Sequence, residues 1–104
     1  MARFDCWTNP IAEDRGLFPF VLEIHSDLLH AFAERVVMPL AIANAIPGMT
    51  DRFNPLIQVA GTACRLHPLG MAVFQRHDLR QNVGNARNQA LEIETAIDML
   101  LRGC

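Results

Sequence analysis

The sequence contains no lysine. All nine basic residues are arginine, mainly a compositional habit of the source genome, although arginine is also the better residue for bidentate and stacked contacts. Against eleven acidic residues they leave a formal charge of −2, so there is no excess of basic charge to neutralise phosphates, which argues against a generic nucleic-acid binder. Cysteine is scarce. Cys6, Cys64 and Cys104 cannot all pair within one chain, and nothing resembling a secretory signal precedes Phe4, so a reducing, cytoplasmic setting is expected. Long apolar runs are missing too: the longest, Val36 to Ala43, is broken by Pro39 and falls far short of the ~20 residues that span a bilayer. No membrane association is therefore expected. Neither G-x-x-x-x-G-K-[ST], G-x-G-x-x-G nor H-E-x-x-H occurs, which leaves phosphate-cradling loops and metalloprotease helices without support. Repeats and low-complexity tracts are also lacking.

What is present is apolar surface. With 51% hydrophobic residues in 104, the chain has room for a single domain over 1–104 and more apolar area than so small a body readily hides. A homo-oligomer would absorb the excess. The clearest periodicity runs from Asn85 to the end, where Ala86, Ala90, Ile93, Ile97, Leu100 and Cys104 follow at steps of four and three and so line one side of a helix. Glu92, Thr95, Asp98, Met99 and Arg102 occupy the other side. Asn85 is the expected N-cap, with Gly84 turning the chain just before it. Asp98 and Arg102 form an i,i+4 pair worth ~0.3 kcal/mol, and Gly103 ends the helix. The apolar stripe reaches the terminal residues, so this end is expected to touch something.

Upstream the pieces are shorter. Arg3–Thr8 reads as a strand, with Phe4 and Cys6 on one face and Asp5 and Trp7 on the other, closed by Asn9-Pro10. Trp7, the only tryptophan, suits a core or interface position better than a cofactor platform. Ile11–Gly16 is a charged connection. Phe18, Phe20, Leu22 and Ile24 alternate with other residues as in a half-buried strand, and Pro19 sets its start near a sheet edge. Residues 28–34 fit either a loop or one helical turn. Arg35–Ile42 is a strand in which Pro39 demands an edge, a bulge or a bend. Residues 44–54 are a connection, and Leu56–Val59, Ala63–His67 and Met71–Gln75 read as a three-strand meander. The expected class is α+β: a small, curled antiparallel sheet of the SH3-like barrel type with a C-terminal α-helix.

Catalytic and metal-binding constellations are weak. His25-Ser26-Asp27 invites comparison with a triad, but neighbours on a strand point to opposite faces, so Ser26 would face away from both partners. Cys64 and His67 have metal-like spacing, yet a structural zinc wants four ligands and His25, His30 and His77 are scattered singly. No catalytic residue, metal or cofactor is assigned, and an enzyme is the weaker expectation. Leu28 and Leu29, adjacent and preceded by polar residues, cannot both face one core, so an exposed apolar contact is expected there.

Leu22-Glu23-Ile24-His25-Ser26-Asp27-Leu28-Leu29, followed by Arg35-Val36-Val37-Met38-Pro39-Leu40, closely resembles the CcdB family of gyrase-poisoning toxins of bacterial toxin–antitoxin modules. Asn54-Pro55-Leu56-Ile57, Met71-Ala72 and Glu92-Ile93-x-x-Ala96-Ile97 fall at matching places, as does the glycine one residue before the end. The resemblance implies a homodimer with the C-terminal helices together at its centre. That dimer wedges into the dimerisation domain of the catalytic subunit of DNA gyrase and traps the enzyme on cut DNA. It also implies a CcdA-like antitoxin as partner, with DNA met only indirectly, through gyrase or the antitoxin complex. By position, Phe4, Ser26, Leu28, Leu29, Asp98, Arg102, Gly103 and Cys104 would face gyrase, and Ile97, Leu100 and Cys104 would build the dimer contact.

The tail departs from the family. Its best-known members end in Trp-Gly-Ile, with the indole stacked on a gyrase arginine, whereas this chain has Arg102-Gly103-Cys104. A tryptophan over a guanidinium contributes about 0.5–2 kcal/mol, and juxtaposed like charges reverse the sign. Asp98, one turn earlier, is the acid that would offset the repulsion. Weaker poisoning is therefore expected. The alternatives are a non-toxic, antitoxin-binding regulatory homologue and a MazF-type ribonuclease, the latter disfavoured by the lack of basic charge.

Overall fold

Short strands separated by tight turns cannot bury much surface singly, and here they curl around one helix. The computed structural model describes residues 1–103. The strands are β1 (Asp5–Thr8), β2 (Phe20–Glu23), β3 (Glu34–Ile42), β4 (Leu56–Val59), β5 (Thr62–Leu66), β6 (Ala72–Gln75) and β7 (Asn82–Asn85), followed by helix α1 (Ala90–Arg102). The sheet runs β4-β5-β3-β2-β1-β7 with β6 also paired to β3, and the pairings are antiparallel. The architecture is the expected α+β, a curled antiparallel sheet with a C-terminal helix.

Its organising strand is β3, nine residues long. One side pairs with β2; the other pairs first with β6, over Glu34–Val37, and then with β5, over Leu40–Ile42. Pro39 sits at the handover. Its carbonyl accepts from His67 N–H at 2.9 Å, so its missing N–H faces the gap between the two partners, where no ladder bond is lost. A Cβ on Gly70 would lie 2.6 Å from Pro39 Cγ, and only glycine fits that approach. The proline thus marks a branch in a central strand rather than an edge, and the expected meander is corrected: β4 and β5 form a hairpin through Ala60-Gly61, both at positive φ, but β6 leaves them for β3.

Two faces of the sheet are buried. Cys6, Leu22, Met38 and Leu40 point into the main core beneath α1, while Trp7, Val21 and Val37 gather with Leu79 on the reverse. This corrects the expectation for β2, which is buried on both faces between β1 and β3, with Leu22 and Glu23 at 0% and 1% exposure. Helix α1 closes the main core with Ile93 and Ala96, both fully buried. Each such aliphatic of leucine size contributes ~1.5–3 kcal/mol.

The helix begins at Ala90, five positions after the expected cap. Residues 82–85 form β7 instead, and a 3₁₀ turn, Arg87–Gln89, leads into α1. Asn85 still caps a turn, its Oδ1 accepting from Arg87 N–H at 2.8 Å. Gly103 stops the helix as expected, at φ 72 with its N–H shared between Asp98 O and Met99 O. Among the described residues no helix is long and apolar enough to cross a membrane.

Candidate functional site

The turn after β2 is built by its own side chains. Ser26 Oγ accepts from Leu28 N–H at 3.1 Å and caps a 3₁₀ turn over Asp27–Leu29. That local bond decides between loop and helical turn at the start of residues 28–34 and explains the Ser-Asp pair without catalysis. His25 is engaged elsewhere, with Val36 N–H on its Nδ1, and Asp27 Oδ1 accepts from Arg3 N–H at 2.7 Å. No triad forms among these residues. Cys64 lies in the core while His67 stacks on Phe18 at 5.6 Å, and among the described residues no group of three or more potential ligands is placed to hold a metal.

Arg3 joins this turn to the helix. Besides its backbone bond to Asp27, its Nε donates to Ile24 O at 3.0 Å and its Nη1 to Glu94 Oε1 of α1 at 3.0 Å. Its guanidinium lies 4.5 Å from the Phe4 ring centroid. Phe4 itself has φ 70, a conformation that costs a bulky residue ~1–3 kcal/mol and is held by bonds from its N–H to Glu23 O and from Ala86 N–H to its carbonyl. A cleft of about 340 Å³ opens beside Arg3, lined by Glu94, Ile97, Asp98 and Arg102.

The expected gyrase-facing residues therefore divide. Leu28 is 90% and Leu29 45% exposed, and Ser26 and Gly103 are also at the surface. Asp98 and Arg102 form the expected pair at 2.8 Å. Phe4 is buried, its ring under Arg3. Ile97 and Leu100 are half-buried at the rim of the core, and the next leucine, Leu101, is 67% exposed. Cys104 lies outside the described residues.

Beneath the turn is a buried polar group that no motif in the sequence singles out. Glu23 Oε1 accepts from Trp7 Nε1 at 2.7 Å, and its Oε2 lies 3.4 Å from His25 Nε2 and 3.8 Å from Arg35 Nε. Because His25 Nδ1 accepts from Val36, the ring carries its proton on Nε2, toward the carboxylate. Burial raises the Glu23 pKa, partly countered by the Trp7 hydrogen bond; burial and then Arg35 lower that of His25. Arg35 is 1% exposed and donates to the carbonyls of His30, at 2.7 Å, and Phe32. Arg76, from beyond β6, reaches the same two carbonyls at 2.5 and 3.2 Å. The only signals in the sequence were an arginine opening an apolar strand and a phenylalanine, Phe32, between two alanines in the connection before it.

A surface turn bearing two exposed leucines is thus tied through Arg3 to Glu94 of an amphipathic helix, and exposed apolar side chains of this kind are suited to contact with a partner. The family model for the CcdB protein matches residues 3–103, nearly the whole chain. No curated protein matches it. On the match and the fold together, the chain belongs to the CcdB family, the toxins of toxin–antitoxin modules.

Proposed function

We propose that this chain is a CcdB-like toxin that acts in the bacterial cytoplasm as a homodimer. It binds the dimerisation domain of the catalytic subunit of DNA gyrase and traps the complex with cleaved DNA, and a CcdA-like antitoxin opposes it. The observation that carries this reading is the exposed Leu28-Leu29 turn, linked through Arg3 to Glu94 on α1, one turn before the Asp98–Arg102 pair. Ile97 and Leu100, half-buried on a helix whose neighbouring Leu101 is exposed, support a second copy docking there. Contact with a folded partner needs no catalytic group, and the polar side chains of His25, Ser26 and Asp27 are all occupied structurally.

Potency is set by the tail. Arg102 lacks the indole of the best-known members, but Asp98 at 2.8 Å neutralises its charge, which favours weakened binding over outright repulsion. The test is expression in a bacterial host with and without the antitoxin. Growth arrest with gyrase-linked DNA breaks is expected, and Arg102→Trp is expected to deepen it. Absence of arrest in both the parent and that variant would leave a regulatory, antitoxin-binding protein, and arrest with cleaved messenger RNA would make it a ribonuclease.

A further inference from the structure

Residues 26–34 are all exposed, so apolar packing does not hold this segment in place. Yet it presents Leu28 at 90% and Phe32 at 62% exposure, and its shape is defined by short turns, Leu29 N–H to Ser26 O, His30 N–H to Asp27 O and Phe32 N–H to Leu29 O. Arg3 N–H holds Asp27 at one end and Arg76 N–H holds Ala33 O at the other, and between them the turns are anchored to the body by a pair of guanidinium groups. Arg35, from β3, reaches the His30 and Phe32 carbonyls from below, and Arg76, from the turn after β6, reaches both from outside. Charge-assisted bonds to two carbonyls fix a short loop in both position and orientation.

We propose that Arg76, working with buried Arg35, is a positioning residue for target recognition. It clamps the His30–Phe32 backbone so that Leu28, Leu29 and Phe32 stand out as a pre-ordered apolar row, with Phe32 a further contact for the gyrase domain. This rests on the reading under Proposed function. A loop ordered before binding loses less conformational freedom when it docks, so the clamp acts on affinity without touching the partner. Arg35 also balances Glu23 and is unsuitable as a probe, whereas Arg76 is at the surface and can be changed without opening the core.

The experiment compares the parent with Arg76→Gln, Arg76→Lys, Arg80→Gln and Phe32→Ser in two readouts. One is amide exchange at Leu29, His30 and Phe32; the other is capture by the purified dimerisation domain of the gyrase catalytic subunit. Arg80→Gln removes the same charge nearby, but Arg80 donates to His77 O rather than to the loop, so it controls for electrostatics. In Arg76→Gln the three amides are expected to exchange about tenfold faster with β2 and β3 unchanged, and capture to weaken about three- to tenfold, partly restored by Arg76→Lys. Phe32→Ser should weaken capture and leave β2 and β3 exchange unaltered. Unchanged exchange in Arg76→Gln overturns the clamp, and so does capture equal to that of Arg80→Gln. Capture by Phe32→Ser equal to the parent's overturns its role as a contact. A parent that is not captured at all sinks the target assignment, while the exchange rates still decide the clamp.

Discussion

Replacing Arg35 with alanine should be among the most damaging single changes in the fold. The guanidinium is 1% exposed and is the cationic partner of Glu23, which is equally buried, 3.8 Å away. Removing it leaves a carboxylate out of water whose close side-chain partners are the neutral donors Trp7 and His25. Breaking a buried pair from one side costs about 3–5 kcal/mol. The carbonyls of His30 and Phe32 lose one of their two guanidinium partners and keep Arg76, which loosens the loop locally but is a smaller loss than the unpaired charge. In a domain of this size each kcal/mol moves the melting temperature by ~4–8 °C, so a fall of roughly 12–40 °C is expected. Urea unfolding followed by tryptophan fluorescence suits the measurement, because Trp7 is the only indole and donates directly to Glu23. The double variant Glu23→Gln, Arg35→Met removes both charges and keeps an oxygen for the indole N–H, so it should recover at least half of the loss. A loss below ~1 kcal/mol in Arg35→Ala would refute the reasoning, since an unpaired buried charge costs more than that. A double variant as unstable as the sum of the single changes would refute it equally.

His25 is held neutral, with its pKa lowered from 6.5, so its contribution to stability is complete above 6.5 and is lost as pH falls through its folded value. Glu23, raised from 4.5, acts oppositely: its contribution is full below 4.5 and diminishes as pH rises through its folded value. Unfolding midpoints across about pH 5–8 should therefore show a loss on the acid side that His25→Asn, which keeps an acceptor for Val36 N–H, flattens; an unchanged slope in that variant would contradict the assignment. Burial pushes the Cys6 thiol up to about 12 and that of Cys64 to about 11, so a thiol reagent at neutral pH should label these two positions only as fast as the chain unfolds, read by peptide mapping. Gly70→Ala should cost about 1–3 kcal/mol by calorimetry, because the new methyl meets the Pro39 ring at 2.6 Å and the His67 ring at 2.8 Å.

Much of the architecture was legible from periodicity. The stripe through Ile93, Ile97 and Leu100 identified α1 and its core-facing side, and two adjacent leucines after a polar pair announced an exposed turn. The misreadings have physical causes. Ala86 fits the helical stripe although it belongs to the turn before the helix, and β7, Asn-Val-Gly-Asn, carries one apolar residue and exists because β1 offers an unpaired edge. Nothing local says that β6 leaves its hairpin neighbours for β3; that choice follows from the length of β3 and the gap at Pro39. The site was legible only in part. Arg3 and Glu94 lie 91 positions apart, and the pairing of Arg35 and Arg76 on two backbone carbonyls needs three dimensions to be seen.

The most direct test of the central claim is equilibrium binding of the purified protein to the isolated dimerisation domain of the gyrase catalytic subunit, titrated for the parent, Leu28→Ser and Arg102→Trp. Saturable binding is expected for the parent, weaker binding for Leu28→Ser and tighter binding for Arg102→Trp. Binding absent from the parent and from Arg102→Trp, or indifferent to Leu28→Ser, would contradict it.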